Sequence, residues 1–529
     1  MPFMFLDKLT DNKMDKLSKL DENFTALAAN LDMFFLLVMG VIVYFMQCGF
    51  AFLECGAVRS KNSTNILIKN VMDSFVGCLA YWVVGYGLAF GTGGPVIGMT
   101  HWALHDVPDT VYAHWFFQFV FAATAATIVS GAMAERCDFL AYLTYSVAIT
   151  GFIYPVVTHW AWTDEGWLSS GMEACCECVP HASTNGSLVC NASFTVSYQD
   201  FAGSGVVHLL GGTAAFVGAA ILGARRGRFD PSGKPKHIRG HSVPLAALGG
   251  FILFFGFFAF NGGSQGQISA SGDGVAVALS MVNTTISGSF AALTCLITTL
   301  ITRLVTKGQQ QWSLLVTING CLTGMVAICA GCNVVYPWGA AVIGVVAGFA
   351  YKFWSFLVLK IKVDDPLDAI AVHGGGGLWG VIAVPLLKTD GLFLNWGTKG
   401  LYELAWNLAG AAAIMGWSAV LALILFGMLR FTGLLRVTSE IEHKGMDIPK
   451  HGEPAYPLHS YGHGWEAHDP IDINMLREYI SQHPTANGIG YSTKSNGGET
   501  TIMDVLQENG QTPVSGNGVD NPALDPSGI

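Results

Sequence analysis

Two nine-residue phrases decide how this chain folds. The first reads Asp200-Phe-Ala-Gly-Ser-Gly-Val-Val-His208, and the second reads Asp365-Pro-Leu-Asp-Ala-Ile-Ala-Val-His373. In each phrase seven residues separate an aspartate from a histidine, which gives the pattern Asp-x7-His. Glycines follow closely after each histidine. Ionisable residues inside apolar segments are rare and usually functional. The matching phrases therefore indicate a duplicated unit with a functional histidine in each copy.

The composition around these phrases indicates a membrane protein. The chain has 529 residues, of which 51% are hydrophobic and 12% are charged, and its mean hydropathy is +0.45. A soluble protein carries about 25% charged residues, so this charge content is too low to cover the surface of soluble domains. The same composition excludes collagen, a disordered chain and a nucleic-acid-binding protein. The formal net charge of −10 lies mostly outside the apolar part.

The apolar segments predict an all-α integral membrane protein with eleven transmembrane helices, because a membrane helix needs about 20 apolar residues. A second pair of similar phrases is Gly49-Phe-Ala-Phe-Leu-Glu-Cys-Gly and Phe258-Ala-Phe-Asn-Gly-Gly. Five spans therefore repeat as five more, followed by a final helix, and an odd number inverts the second copy. The predicted spans are residues 32–57, 70–91, 112–134, 139–161, 201–224, 242–262, 274–301, 313–331, 336–358, 366–387 and 403–430.

Four segments are predicted along the chain. Residues 1–31 form an extracellular N-terminal segment without the features of a cleaved signal peptide, and residues 32–430 form the membrane domain. Residues 431–460 form a cytoplasmic regulatory tail. Residues 461–529 are rich in Gly, Asn, Ser and charge, and are predicted to be largely disordered cytoplasmic tail.

Lysine and arginine predict the orientation, because they accumulate in cytoplasmic loops. One set of loops carries fifteen such residues and the opposite set carries two. We therefore expect the N-terminus outside and the C-terminus in the cytoplasm, although four N-terminal lysines do not follow the pattern. The fifteen residues are Arg59, Lys61, Lys69, Arg136, Arg225, Arg226, Arg228, Lys234, Lys236, Arg239, Arg303, Lys307, Lys352, Lys360 and Lys362.

The long outside loop predicts covalent modification. Four cysteines crowd into it, namely Cys175, Cys176, Cys178 and Cys190. The outside is oxidising, so disulfides are expected there, with the pairing open. A metal site is the alternative, but no histidine cluster would complete it. Glycosylation is predicted at the outside sequons Asn23, Asn185 and Asn191.

The phrases also predict where the histidines lie. Eight residues of helix rise about 12 Å, and the hydrocarbon core is about 30 Å thick. With Asp200 and Asp365 as N-caps at opposite faces, His208 and His373 meet near the middle of the membrane. A lone histidine would more simply be an interhelical hydrogen-bond partner. A metal site would need Cys, Asp or Glu at the same depth, and neither phrase has one there.

Aromatic residues cluster at the predicted outer ends of three spans. They occur in Phe117-Gln-Phe-Val-Phe121, in Thr158-His-Trp-Ala-Trp162 and in Phe260-Asn-Gly-Gly-Ser264. An interfacial aromatic belt is the simpler interpretation. Aromatic faces also attract cations, and a serine hydroxyl accepts hydrogen bonds. The combination favours a site for a small, hydrogen-bonding cation.

Several of these phrases resemble signatures of the ammonium transporter (Amt/Mep/Rh) family. The resemblance runs from about residue 32 to residue 456 and is similar to the Amt branch in a eukaryotic member, because Trp162 and Ser264 match the Amt recruitment site. The phrases are the first Asp-x7-His phrase, Gly131-Ala-Met-Ala-Glu-Arg136, Asp364-Asp-Pro-Leu-Asp-Ala-Ile-Ala-Val-His373-Gly and Gly445-Met-Asp-Ile-Pro-Lys-His-Gly.

The resemblance implies a homotrimer in the plasma membrane with one pore per protomer and no cofactor. It implies an outer ammonium site, a phenyl gate beneath it and a pore lined by twin histidines. Asp200 matches the family's essential carboxylate near the substrate site, and Asp365 and Asp368 match structural positions close to it. The remaining matched residues are Phe121, Trp162 and Ser264 for the outer site, Phe121 and Phe260 for the gate, and His208 and His373 for the pore.

The expected function is transport of ammonium, with methylammonium as an analogue. Ammonium would lose a proton and cross as ammonia, either alone or with its proton relayed by the histidines. An ammonium sensor and a neutral-gas channel of the Rh type are the alternatives, and Trp162 and Ser264 disfavour the second. An enzyme is disfavoured because no nucleophile adjoins either histidine.

The tail phrase departs from the plant members in one respect. Plant tails carry a threonine between the Gly-Met-Asp core and the basic end, where phosphorylation closes the trimer. Pro449 stands in that neighbourhood here. The same switch is therefore doubtful, and Thr438 and Ser439 are the other candidates for phosphorylation.

Overall fold

The structure is a computed structural model, and it describes residues 2–180, 188–307, 312–457, 461, 492–495 and 498–501. The chain divides into two compact units, residues 1–461 and residues 462–529. All predicted site residues belong to the first unit.

Helices dominate the first half of this unit. Two helices follow one another at the N-terminus, with a break at Phe45, and π-helical turns at Tyr81–Gly85 and Ile149–Ile153 interrupt two later spans. The helices are α1 (Pro2–Tyr44), α2 (Met46–Ala57), α3 (Ser63–Ala80), α4 (Tyr86–Phe90), α5 (Val111–Met133), α6 (Phe139–Ala148), α7 (Tyr154–Trp162), α8 (Trp167–Ser170) and α9 (Leu210–Leu222). Short 3-10 turns cover Ser60–Asn62 and Trp102–Leu104.

The second half repeats this helical character and ends in the tail. A further π-helical turn at Asp447–His451 lies in the tail phrase. The helices are α10 (Val243–Gly263), α11 (Asp273–Val305), α12 (Leu314–Ile328), α13 (Pro337–Lys360), α14 (Gly376–Leu387), α15 (Thr398–Phe431) and α16 (Ser439–Lys444).

The helical segments agree with a multi-pass membrane protein. Within the described residues, ten segments are long and apolar enough to cross a membrane. The eighth predicted span, at residues 313–331, corresponds to the shorter apolar helix α12 of 15 residues. The all-helical membrane architecture is therefore confirmed, whereas the count of eleven and the orientation stay predictions.

Two regions differ from an all-α expectation. The outer loop contains an antiparallel hairpin of β1 (Met172–Pro180) and β2 (Leu188–Val196), and the second unit contains one of β3 (Ser492–Ser495) and β4 (Gly498–Thr501). β2 contains Val189, Thr195 and Val196, and β-branched residues favour strands. At the N-terminus, α1 begins at Pro2, so residues predicted to precede the first span continue it as helix.

The two Asp-x7-His phrases adopt the same local structure. Each forms a π-helical turn that contains its histidine, at Ser204–Leu209 and at Ile370–Gly375, and each turn leads into an α-helix. Single π-helical turns occur frequently at functional sites. The two phrases that the sequence predicts to be duplicated therefore share an uncommon backbone conformation.

Glycines let these two segments cross closely. A Cβ on Gly212 would lie 2.2 Å from the amide nitrogen of Gly374, and a Cβ on Gly377 would lie 2.4 Å from the carbonyl oxygen of Ser204. Such distances are below any van der Waals contact, so no other residue fits without moving the backbone. Small residues permit this kind of close helix contact in membranes. The crossing brings the two histidines together.

Candidate functional site

The two histidines form a direct contact in the centre of the bundle. Nδ1 of His208 lies 3.1 Å from Nδ1 of His373, and the rings are nearly parallel with centroids 5.2 Å apart. Both side chains are buried. Since the contact joins two Nδ1 atoms, one ring must donate and the other accept. The structure therefore brings together the two residues that the sequence analysis placed at matched depth.

Two phenyl rings stack next to the histidine pair. Phe121 on α5 and Phe260 on α10 have centroids 4.1 Å apart and an interplanar angle of 27°. The ring of Phe260 is in turn 5.4 Å from that of His208. Both phenyl groups are buried. The order along the site is thus a stacked aromatic pair followed directly by the two imidazoles.

Trp162 packs against Phe121, one ring of the stacked pair. Its ring meets Phe121 edge to face at 5.9 Å, and its Nε1 donates a hydrogen bond of 2.7 Å to the carbonyl oxygen of Asp200. This bond sets the orientation of the indole. Ser264 ends α10 one turn beyond Phe260, and its hydroxyl donates to the Phe260 carbonyl oxygen at 2.7 Å. Both side chains are only half-buried, so their free faces are accessible.

The two aspartates of the phrases act on the backbone. Oδ2 of Asp200 accepts from the amides of Gly205 and Val206 at 2.9 and 2.8 Å. Oδ2 of Asp365 accepts from the amide of Ile370 at 2.7 Å. Each carboxylate therefore holds the start of its π-helical turn, but the N-cap residues are Gly203 and Ala369 and not the aspartates as predicted, because each aspartate lies upstream of the turn and reaches amides five or six residues on. Among the described contacts, Asp200 reaches the aromatic site of Phe121, Trp162 and Ser264 through its carbonyl oxygen, which accepts the hydrogen bond from Trp162.

Asp368 lies apart from the pore. It has a positive φ of 59° and accepts hydrogen bonds from the hydroxyls of Tyr351 at 2.8 Å and Ser355 at 3.1 Å. A positive φ is uncommon for residues other than glycine and is tolerated best by Asp and Asn. These contacts tie the second phrase to α13, which agrees with a structural position.

Sequence reasoning missed two aromatic residues that complete the walls of the histidine site. Phe257 stacks against His208 at 5.8 Å, and Phe50 lies 6.1 Å from His373. Phe50 lies in the phrase that starts at Gly49, and Phe257 directly precedes the phrase that starts at Phe258, so the similarity of these two phrases was the available signal. Which phenyl of each phrase faces the site depends on helix packing and could not be read from the letters.

An ionic cluster joins the loops on the side of the bundle where the tail lies. Glu135 contacts Arg59 at 2.9 Å and Arg225 at 3.1 Å, and Arg225 also contacts Asp364 at 2.8 Å. Burial would raise the pKa of Glu135, but the charges of Arg225 and Arg59 outweigh it and lower the pKa to about 2. Burial also acts against ionised Asp364, and its bonds to Arg225 lower that pKa to about 2. Both residues belong to motifs of the sequence analysis, which did not predict that they meet.

The tail phrase packs on the same side. The backbone amide of Asn65 on α3 donates to Oδ1 of Asp447 at 2.9 Å, and Lys450 pairs with Asp138 at 2.7 Å. Pro449 is exposed within the π-helical turn. Thr438 caps α16 by accepting from the amide of Ile441 at 3.4 Å and is exposed, as is Ser439. The tail segment is thus attached to the membrane domain through polar contacts on both sides of Pro449.

The modification sites of the outer loop lie partly outside the described residues. Asn185 is outside them, as are the side chains of Asn191 and of the four loop cysteines. The backbone register of the hairpin places Cys178 opposite Cys190. Asn23 is exposed on α1. Across the residues that the structure does describe, no group of three or more His, Cys, Asp or Glu is arranged to hold a metal ion.

Comparisons with known proteins give the family. The sequence profile described as Ammonium Transporter Family matches residues 34–456. “Putative ammonium transporter 1” of Caenorhabditis elegans is 46% identical over 483 residues, which cover 88% of this chain and 85% of that protein. “Ammonium transporter 1 member 3” of Solanum lycopersicum is 39% identical over 451 residues, which cover 81% of this chain and 93% of that protein.

Solved structures give the same answer. The structure named “Sensor Amt Protein” has a TM-score of 0.71 and 31% sequence identity, and the match covers 81% of this chain and all of that one. Mep2 from Candida albicans has a TM-score of 0.65 and 26% identity, with 78% of this chain and 87% of that chain covered. The chain therefore belongs to the Ammonium Transporter Family, a family of membrane transporters.

Proposed function

We propose that this protein captures ammonium at the outer aromatic site, removes its proton and conducts ammonia past the histidine pair. The observation that carries the proposal is the 3.1 Å contact between His208 and His373 directly beside the Phe121–Phe260 stack. The names of the relatives support ammonium as the substrate.

The first step is capture. Trp162 and Phe121 offer aromatic faces, and aromatic faces attract cations by about 0.5–2 kcal/mol. Ser264 adds a hydroxyl oxygen that accepts a hydrogen bond from ammonium. Potassium has no N–H to donate, so the hydroxyl gives ammonium the advantage at this site.

The second step is passage through the stacked phenyl rings. A charge at the membrane centre costs at least about 2.5–3.5 kcal/mol, and the phenyl groups of Phe121 and Phe260 offer no compensating ligand. Ammonium avoids this cost when it crosses as ammonia. Potassium has no neutral form and meets the full barrier.

The histidine pair suits ammonia. With one hydrogen shared between the two Nδ1 atoms, one imidazole has a bare Nε2 and the other has a protonated Nε2. The pair thus presents one acceptor and one donor to the pore, and ammonia both donates and accepts hydrogen bonds. In the described structure Nε2 of His208 is buried and has no protein partner, so it is available to a passing molecule.

The test compares ammonium and potassium currents in His208→Ala, His373→Ala and the double variant under voltage clamp. We expect the ammonium current to fall in each single variant and the ratio of ammonium to potassium current to fall further in the double variant. His105→Ala removes a largely exposed outer histidine and is the matched control. Unchanged current and selectivity in all three pore variants would refute the proposal.

A sensor function is the second candidate, because a structure named “Sensor Amt Protein” matches over all of its own length. In that case residues 462–529 would signal and the pore would serve as a receptor. Deleting these residues and measuring methylammonium uptake separates the two functions. Normal uptake in the deletion variant, with loss of a growth response to ammonium, would favour the sensor.

We further propose a homotrimer in the plasma membrane with the N-terminus outside, glycosylated at the sequons and carrying disulfides in the outer loop. The cross-strand register of Cys178 and Cys190 supports pairing of these two cysteines. Cross-linking in native membranes tests the trimer, and non-reducing peptide mapping tests the disulfide. Glycosidase treatment of Asn23→Gln, Asn185→Gln and Asn191→Gln variants tests the sequons and, with them, the orientation.

A further inference from the structure

A second buried polar group lies in the first half of the bundle, away from the histidines. Two carboxyl groups form its centre, Glu54 on α2 and Asp73 on α3, with exposed fractions of 1% and 0%. We call it the carboxylate cluster. The other members are Gln47, Lys69, Asn70, Thr127, Ser130, Tyr142 and Ser146, all of them buried.

Both carboxyl groups are held by hydrogen bonds from neighbouring helices. Oε2 of Glu54 accepts from Nδ2 of Asn70 at 3.0 Å and from the hydroxyl of Ser130 at 2.9 Å. Asp73 contacts the hydroxyl of Thr127 at 2.7 Å and that of Ser146. The cluster therefore joins α2, α3, α5 and α6 in the buried interior of the bundle.

The hydrogen bonds around Thr127 require one more proton than the hydroxyl supplies. Its Oγ1 lies 2.7 Å from Asp73 Oδ2, 2.8 Å from Gln47 Oε1 and 2.9 Å from the carbonyl oxygen of Ala123. A hydroxyl donates a single hydrogen. Exchanging the amide atoms of Gln47, whose Nε2 otherwise has no partner, lets its nitrogen donate to Thr127, but Asp73 and the Ala123 carbonyl oxygen still compete for the single hydroxyl hydrogen. A proton on Asp73 removes the conflict, since Asp73 then donates to Thr127 and Thr127 donates onward.

Buried atoms without protein partners also point into the cluster. Oδ1 of Asn70 has none among the described residues, although Nδ2 of the same amide binds Glu54. Nε2 of Gln47 and the hydroxyl of Tyr142 are in the same condition. Buried polar atoms are nearly always satisfied by protein or by bound species. These atoms leave the cluster with hydrogen-bonding capacity that its protein contacts do not use.

The charges of the cluster also indicate one additional proton. The cationic group beside the carboxylates is Lys69, whose ammonium donates to the carbonyl oxygen of Cys137 at 2.9 Å and acts electrostatically on Glu54. The remaining titratable groups near the pair are the phenols of Tyr142 and Tyr145 on α6, the thiol of Cys55 next to Glu54 and the thiol of Cys137 next to Lys69, which are neutral as ordinary side chains. Two carboxylates and one ammonium leave one negative charge uncompensated. An uncompensated buried charge is strongly unfavourable.

The second half of the bundle shows that helix packing does not require carboxylates here. The corresponding pair of helices, α10 and α11, meets through neutral groups, with Nδ2 of Asn261 donating to the hydroxyl of Thr284 at 2.7 Å. On α11, Asn283 donates to the carbonyl oxygens of Cys332 and Val335. An amide and a hydroxyl therefore suffice for the structural role. The carboxyl groups of the first half add the ability to bind a proton.

We propose that Glu54 and Asp73 form a proton-binding site, separate from the histidine pair, that holds one exchangeable proton. The proton joins a carboxylate oxygen and returns to water, so the net charge of the cluster alternates between zero and minus one. Buried polar residues of α3, among them Lys69 and Asn65, lie between the site and the end of the helix where the tail binds. The tail contact at that end is the hydrogen bond from the Asn65 amide to Asp447.

The test is infrared difference spectroscopy of the purified full-length protein in lipid across a pH series. We expect native protein to show the carbonyl absorption of a protonated carboxyl group in a dry environment. The band should be lost in the Glu54→Gln, Asp73→Asn double variant. Asp32→Asn is the matched control, because Asp32 accepts from the amides of Ile268 and Ser269 at 2.7 and 2.9 Å and is expected to stay ionised.

Conservative variants separate loss of the proton from loss of the fold. Glu54→Asp and Asp73→Glu keep both carboxyl groups, so they should keep a band, shifted in frequency. A native spectrum that equals that of the double variant at every pH would overturn the proposal. Loss of the same band in Asp32→Asn would overturn it too, because the absorbing group would then lie elsewhere.

Discussion

The histidine pair and the carboxylate cluster place polar groups in the same apolar bundle in opposite ways. His208 and His373 have one polar contact, with each other, and aromatic rings on their other sides. Glu54 and Asp73 are instead surrounded by hydroxyls and amides from four helices. A pore must leave hydrogen-bonding capacity free for its passenger, whereas a site that retains a proton must hold it with fixed partners. The difference is therefore that an imidazole nitrogen of the pair is left without a protein partner, whereas both carboxyl groups are held by fixed hydrogen bonds.

The largest expected effect comes from separating the two phrases that carry the histidines. Gly212→Val puts a side chain where even a Cβ would lie 2.2 Å from the Gly374 amide nitrogen. We expect loss of folded protein, measured as the monodisperse fraction by fluorescence size-exclusion chromatography. Gly416→Val is the control, because Gly416 has no atom near its Cβ position. Normal yield of Gly212→Val would mean that the close crossing is not required.

The next effect distinguishes the two polar sites by selectivity. In the double variant His208→Ala, His373→Ala, the ratio of ammonium to potassium current should fall at least about tenfold. This corresponds to a loss of about 1.4 kcal/mol in the discrimination between the two ions. Glu54→Gln and Asp73→Asn should keep the native ratio, because they lie outside the pore. The measurement is the reversal potential in mixed ammonium and potassium solutions. A selectivity change in the carboxylate variants would place them in the conduction path.

Acid should weaken the ionic cluster in a defined pH window. The pKa values of Glu135 and Asp364 are both lowered to about 2 in the folded protein, against about 4 in an unfolded chain. Their stabilising contribution is thus present above about pH 4 and is lost as the pH falls towards 2. We expect the unfolding temperature in detergent to drop across this window.

Glu135→Gln gives the matched control for this pH effect. It should lower the unfolding temperature at pH 7 and flatten the drop between pH 4 and pH 2. An equally steep drop in this variant would assign the acid sensitivity to other carboxylates.

The smallest expected effect concerns capture. Trp162→Ala should raise the half-saturating ammonium concentration by about 2–30-fold, which corresponds to about 0.5–2 kcal/mol for a cation held against an aromatic face. Ser264→Ala should raise it by about 2–10-fold, which corresponds to about 0.5–1.5 kcal/mol for one hydrogen bond. Selectivity against potassium should change less, because the histidine pair remains. Trp396→Ala removes a largely exposed tryptophan and is the control. Unchanged affinity in both vestibule variants would show that capture occurs elsewhere.

Much of this site could be predicted because the sequence contains the Asp-x7-His phrase twice. The paired Asp-x7-His phrases predicted that two histidines meet, and the structure places their Nδ1 atoms 3.1 Å apart. Apolar segment lengths predicted most helix positions, such as 242–262 against Val243–Gly263. The outer hairpin was missed because its strands lie in a polar, cysteine-rich loop whose alternation is weak. The π-helical turns were missed because no residue pattern distinguishes them from α-helix.

By itself, the sequence determined that this is a helical membrane protein with a duplicated, histidine-bearing unit, since apolar length and repetition are local properties of the chain. It also determined the chemistry that is available: aromatic faces, imidazoles and a few buried carboxyl groups. Only the tertiary structure decided which of these groups touch. The stack of Phe121 on Phe260, the wall formed by Phe50 and Phe257, and the cluster around Glu54 and Asp73 join residues far apart in the chain. Their contacts depend on helix crossing and rotation, which packing sets.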